Sequence, residues 1–151
     1  EENSCYRERS QGGHLRGKTL IVADTQVLVY LAVGGDQTKR AEQAYRRDPR
    51  WAAPSLWRSE FRNVLTQYRR RGLLSTEEAF MAMTKAELLV EEEITVSSAE
   101  VLKLAFSSRC SAYDCEFVAA AIGLGVPLLT ADRQILAEFP TIAVSLDAFT
   151  A

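Results

Sequence analysis

Residues 19–24 read TLIVAD, and residues 126–132 read VPLLTAD. Each is an unbroken apolar run that leads straight into an aspartate. A run without polar alternation is a strand covered on both faces, as in a parallel sheet, rather than a half-exposed antiparallel one. In an open α/β sheet, ligands bind outside the carboxyl ends of the strands. Asp24 and Asp132 therefore stand where such a fold does its chemistry.

Around these two strands the chain alternates short apolar runs with helical patterns. A helix is expected over Thr25–Val33, stopped by Gly34-Gly35, and a second from an Asp36 cap to Arg47. Trp51–Ala53 reads as a strand. Pro54 and Ser55 open a helix to Arg71 that Gly72 stops, by the usual preference for proline at helix starts and glycine at their ends. Ser75 with Glu78 forms a capping box for a helix to Val90. Then come a strand at Ile94–Val96, helices at Ser98–Ser108 and Ser111–Gly123, a short helix at Arg133–Glu138 and a last strand at Thr141–Val144. Strands and helices in this order predict an α/β fold, a mainly parallel sheet flanked by helices.

At 151 residues and 47% apolar, the chain supports one domain with a real core. That domain is expected over residues 18–151. Residues 1–17, EENSCYRERSQGGHLRG, are polar and aperiodic and lack the apolar stretch of a signal peptide, so they are expected to be a flexible tail or a remnant. No run approaches membrane-spanning length. The net charge of −2 excludes a wholesale basic coat for nucleic acid, though not a local patch. Cys5, Cys110 and Cys115 make a poor disulfide framework and contain no C-x-x-C pair, which suggests a reduced, cytoplasmic protein. The single histidine, His14, lies in the tail, so histidine-based acid–base catalysis and zinc binding are not expected.

Two more acids stand out. Glu60 borders a helix face made by Trp57, Phe61, Val64, Leu65 and Tyr68. Asp114 shares a spacing of i, i+3, i+4, i+7, i+8 with Phe117, Val118, Ala121 and Ile122, which puts a carboxylate on a core-facing stripe. A charge there is costly unless it is paired, hydrogen-bonded or bound to a metal. Each acid taken singly has a plainer role: Asp24, Asp132 and Asp114 as helix-capping groups, Glu60 as an arginine partner. A parallel sheet, however, can gather all four at one edge. Several carboxylates without His or Cys suit a hard cation, Mg²⁺ or Mn²⁺.

The segments VADTQVLV around Asp24, APSLWRSEFRNVL around Glu60, SAYDCEFVAAA around Asp114 and LLTADRQI around Asp132 resemble, in order and spacing, the PIN domain family, and within it VapC-like toxins of bacterial toxin–antitoxin modules. The resemblance covers Leu20 to about Asp147. It implies a metal-dependent endoribonuclease that hydrolyses RNA phosphodiesters, with Asp24, Glu60, Asp114 and Asp132 as catalytic and metal-binding residues. On this reading Asp24 and Asp114 are principal ligands. Glu60 and Asp132 hold a second metal or its waters, or act as base, and one- and two-metal chemistry both stay open. Bound metal would polarise a phosphoryl oxygen and lower the pKa of a water. Asn63 and Thr130 match residues that support the family's acids. Gln26 stands where many members carry Ser or Asn, and Thr25 is the hydroxyl that can take its place. The resemblance also implies a small antitoxin partner and a homodimer, with Leu73, Leu74, Phe80, Met81 and Leu88 as candidate contact residues.

For RNA the sequence offers a basic segment. Lys39 to Arg71 holds ten Lys/Arg against three acids, whereas Glu77 to Glu100 holds seven acids and one Lys. Arg58, Arg62 and Arg69 are the expected backbone contacts. Tyr45, Trp51 and Tyr113 are candidates for base stacking, with core packing expected of at least two. Two other readings share the fold: a catalytically silent binding module, for which Gln26 is the only support, and a structure-specific DNA nuclease.

Overall fold

A computed structural model describes residues 20–151. The expectation for residues 1–17 falls outside them. The elements run β1 (Ile21–Ala23), α1 (Thr25–Ala32), α2 (Thr38–Arg47), β2 (Trp51–Pro54), α3 (Leu56–Arg70), α4 (Thr76–Leu89), β3 (Val90–Ile94), α5 (Ser98–Phe106), α6 (Ala112–Leu124), β4 (Leu128–Leu129), α7 (Arg133–Glu138), β5 (Ala143–Val144) and α8 (Leu146–Thr150).

The five strands form one sheet in the order β3-β2-β1-β4-β5. Every pair is parallel, with Val22 of β1 registered between Ala52 of β2 and Leu128 of β4. Residues of β1, β2 and β4 are fully buried, as their apolar runs require. Helix α6 packs on all three central strands, while α1, α3 and α4 pack on one another. The core between them is built on Trp51, Trp57, Phe61 and Phe117. The chain builds outward from β1 through β2 to β3 and then crosses back to β4 on the other side of β1, which makes the carboxyl ends of β1 and β4 the switch point of the sheet.

Several ends fall where residue chemistry places them. Ser75 and Glu78 form the capping box of α4. Gly72 closes α3 at φ 72° and Gly125 closes α6 at φ 65°, both left-handed positions that a side chain would strain.

Three expectations need correction, and one element was not anticipated. The third strand is Val90–Ile94, not Ile94–Val96. Its sequence VEEEI has poor intrinsic strand preference, but an edge strand tolerates a charged, exposed row that discourages pairing with a second sheet. Asp36 does not cap α2. Gln37 occupies that position without a side-chain bond, and the helix starts one residue later than expected, after the turn at Gly34 and Gly35. Ile122 is 48% exposed rather than part of the core stripe of α6. Eight residues at 3.6 per turn return about 80° off axis, so the stripe has rotated away by then. Finally, Leu146–Thr150 forms a terminal helix, α8, capped by Ser145. Its pattern is too short to announce itself, and it is held by packing on α2.

Candidate active site

Asp24 is the N-cap of α1, directly after β1. One carboxylate oxygen, Oδ1, accepts from the Thr25 N–H at 2.8 Å, and the other, Oδ2, accepts from the Thr130 hydroxyl at 2.7 Å. Thr130 is fully buried at the end of β4. Its Oγ1 also accepts from the Asp132 N–H at 3.0 Å, so one hydroxyl ties together the two loops that carry Asp24 and Asp132. Asp132 caps α7 with Oδ1, which accepts from the N–H groups of Gln134 and Ile135. Thr25, also buried, donates its hydroxyl to Glu60 Oε1 at 2.8 Å. Asp114 sits in the first turn of α6, where its N–H donates to Ser111 Oγ.

These four carboxylates come from two strand ends and two helices, yet they line one cavity of about 330 Å³ together with Thr25, Gln26 and Tyr30. No basic side chain among the described residues lines it. The electrostatic result is a pocket that holds protons. Burial pushes Asp24 up from 3.8 to about 6, against the lowering effect of the bonds from Thr130 and Thr25, and the charges of Glu60 and Asp114 push it further. Burial raises Glu60, and so do the charges of Asp114 and Glu116. Burial raises Asp114 too, helped by the charge of Asp132.

Both plainer roles are therefore present at once: Asp24 and Asp132 do cap helices, and they still line the pocket. Asn63 is exposed on α3 and makes no hydrogen bond among the described residues. Gln26 and Tyr30 were not singled out as pocket residues from sequence. Gln26 drew notice only as a departure from the family pattern, and Tyr30, six positions after Asp24, carried no signal separable from core packing. Cys110 and Cys115 are free and buried, and burial pushes Cys110 up to about 11, which makes it a poor nucleophile.

The donor set suits a hard divalent cation: carboxylate oxygens, uncompensated negative charge and no soft ligand. Among the described residues no group of three His, Cys, Asp or Glu side chains closes into a coordination cage in this conformation. The fit thus rests on donor chemistry and charge.

The basic segment is partly taken up by ion pairs. Arg58 bonds Glu87 at 2.8 Å and also Glu93, and its guanidinium lies over the Trp57 ring. Arg50 pairs with Glu91, and Arg40 with Asp147. The acidic segment β3 and α4 thus neutralises part of the basic one that precedes it. Arg62 and Arg69 are exposed on α3 and line, with Phe80 and Met83 of α4, a separate groove of about 510 Å³. Trp51 is buried with Tyr45 edge-on to it at 5.4 Å, while Tyr113 is 65% exposed.

The parallel sheet carries an acidic pocket at its switch point, an α/β architecture whose donors and charge suit a cation. The PIN domain family model matches residues 21–140, and the chain belongs to that family. It is 32% identical over 126 residues to Ribonuclease VapC3 of Pyrobaculum aerophilum, across 81% of this chain and 96% of that protein. The crystal structure of PAE2754 from Pyrobaculum aerophilum has the same fold, with a TM-score of 0.72 at 20% identity, over 90% of this chain and 91% of that one. No helix among the described residues is long and apolar enough to cross a membrane.

Proposed function

We propose that the chain is a metal-dependent endoribonuclease and the toxin of a toxin–antitoxin pair. The observation that carries this reading is the convergence of Asp24, Glu60, Asp114 and Asp132 on one cavity without a basic counter-charge. Membership of the PIN family and the likeness to a protein named a ribonuclease support it.

In this reading Asp24 and Asp114 hold Mg²⁺ or Mn²⁺, with Glu60 and Asp132 completing the set. Bound there, such a cation supplies the positive charge that lets an anionic phosphodiester enter and polarises its phosphoryl oxygen. The chain's own part is orientation. Thr130 holds Asp24 Oδ2, Thr25 holds Glu60 Oε1, and the first turn of α7 holds Asp132, so three of the four acids are fixed before anything binds. In this reading Glu60, whose carboxyl burial raises, takes a proton from the attacking water. Arg62 and Arg69 guide the RNA backbone. An antitoxin would set an Arg or Lys in the acidic pocket and cover apolar side chains left open on and before α4, of which Leu73, Phe80, Met81 and Leu88 are 62–80% exposed. A homodimer would cover further apolar surface.

The test is cleavage of single-stranded and structured RNA by purified protein with Mg²⁺, with Mn²⁺ and with EDTA. Metal-dependent cleavage is expected. Full activity in EDTA after demetallation would overturn the metal role, and preference for flap DNA would move the chain to the DNA nucleases. Light scattering at high concentration and co-purification with the product of the adjacent gene test the dimer and the antitoxin.

A further inference from the structure

Beside the acidic cavity lies a second one of about 320 Å³ between α5 and the start of α6. Its walls are Val96, Val101, Leu102 and Ala112, with Ser98, Tyr113 and Glu116 as its polar members. Tyr113 immediately precedes Asp114, and the charge of Glu116 is near enough to act on Glu60. The two cavities therefore share the first turns of α6.

Two features of these side chains are unexplained by folding. Tyr30, Tyr45 and Tyr68 all pack against the core, whereas Tyr113 does not and stands 65% exposed. Glu116 is half-buried yet makes no hydrogen bond or ion pair among the described residues. An open aromatic face, aliphatic walls and a single acceptor-only group suit a flat, neutral heterocycle with N–H donors. They do not suit a phosphate, which the carboxylate would repel.

We propose that this cleft is the subsite for the nucleobase next to the scissile phosphate and that it selects guanine, with Tyr113 stacking on the ring and Glu116 accepting from N1–H and the N2 amino group. The inference rests on the ribonuclease reading and specifies its substrate. Guanine is favoured because a carboxylate only accepts hydrogen bonds. Guanine alone presents two adjacent donors on its Watson–Crick edge, enough for a bidentate pair. Adenine and cytosine offer one amino group beside a ring acceptor. Uracil offers one N–H between two carbonyls that the carboxylate repels.

The test uses the full chain and short single-stranded RNAs that differ at one position, carrying guanosine, inosine, adenosine, cytidine or uridine. Binding is measured by fluorescence anisotropy in EDTA and in Ca²⁺, and kcat and KM are measured separately in Mn²⁺. The guanosine strand is expected to bind about tenfold or more tighter than the uridine strand, with inosine between them. Glu116→Gln should level the series while leaving the melting temperature unchanged. Tyr113→Ala should weaken all strands about tenfold, and Tyr113→Phe should restore them. Equal affinity for all strands, no binding in either buffer, or a guanosine preference untouched by Glu116→Gln would each overturn the proposal. Metal-dependent cleavage without base preference would sink the subsite and leave the ribonuclease reading standing. Guanosine-selective binding without cleavage in any metal would do the reverse.

Discussion

Single side chains in this protein serve two purposes, and the expected consequences of mutation follow from that. Asp24 both caps α1 and lines the acidic cavity. Asp24→Asn keeps an acceptor oxygen for the Thr25 N–H but removes the charge and the second acceptor, which takes the Thr130 hydroxyl bond. In the proposed nuclease, Asp24→Asn and Asp114→Asn should each lower the rate of RNA cleavage at least about a hundredfold, because each removes a ligand. A variant within a few-fold of wild type would dismiss that residue from the site. Thr130 is the more informative position. Its hydroxyl donates to Asp24 Oδ2 and accepts from the Asp132 N–H, so Thr130→Val, nearly isosteric, removes both bonds at a fully buried position. Urea unfolding should show a loss of about 1–3 kcal/mol, and Mn²⁺ affinity by calorimetry should fall about 10- to 100-fold. Unchanged affinity with reduced stability would mean that Thr130 only joins the loops.

At the scale of elements, the opposed charge blocks of the sequence meet in space. Arg58 on α3 ties Glu87 on α4 to Glu93 on β3, and its position over Trp57 adds to the hold. Arg58→Ala should therefore act first on stability, by about 1 kcal/mol given its partial exposure. Arg62→Ala and Arg69→Ala should leave stability nearly unchanged, weaken RNA binding and reduce the slope of log affinity against log salt by about one each. Thermal melts and a salt titration of binding separate the two behaviours. If Arg58→Ala alone flattened the salt slope, the ion pairs of Arg58 would be incidental to its work. Elements were legible from the sequence where one residue type decides the matter. The capping box at Ser75 and the glycine stop at Gly72 were of that kind. The VEEEI strand was not, because its place is decided by the open edge of β2 rather than by its own preference.

For the whole molecule, the acidic cavity couples folding to protonation. Asp24 titrates near 6 when folded, against 3.8 for an ordinary aspartate, and Glu60 and Asp114 move in the same direction. Between those values the folded chain binds more protons than the unfolded one, so stability falls as pH rises. Below about 3.8 both states are protonated, and above about 6 the full cost of the buried charge is present. In EDTA, the stability advantage of wild type at pH 4 over pH 7 should exceed that of Asp24→Asn by about 2 kcal/mol. Added Mn²⁺ should stabilise wild type at pH 7, releasing protons measurable in weakly buffered solution, and should stabilise Asp24→Asn far less. A wild-type stability that rose with pH over this window, relative to the variant, would show that the pocket does not hold its protons.

The amino-acid sequence by itself determined the parallel sheet, because β1 and β4 are apolar without alternation and can only be strands covered on both faces. It also pointed away from histidine-based chemistry, because the only histidine, His14, lies outside the domain. Only the tertiary structure decided which acids meet. Asp24 and Asp132 lie 108 positions apart and become neighbours because β1 pairs with β4 rather than with β3. Which arginines remain available was decided there too, since Arg58 is engaged by glutamates 29 and 35 residues away. Tyr113 and Tyr45 are alike on the page of the sequence, but one packs on Trp51 and the other stands in water. Local periodicity and end chemistry act over one or two turns and can be read along the chain. Pocket membership, ion pairing and exposure depend on which strands pair and which faces close, and those follow from burying the whole core at once.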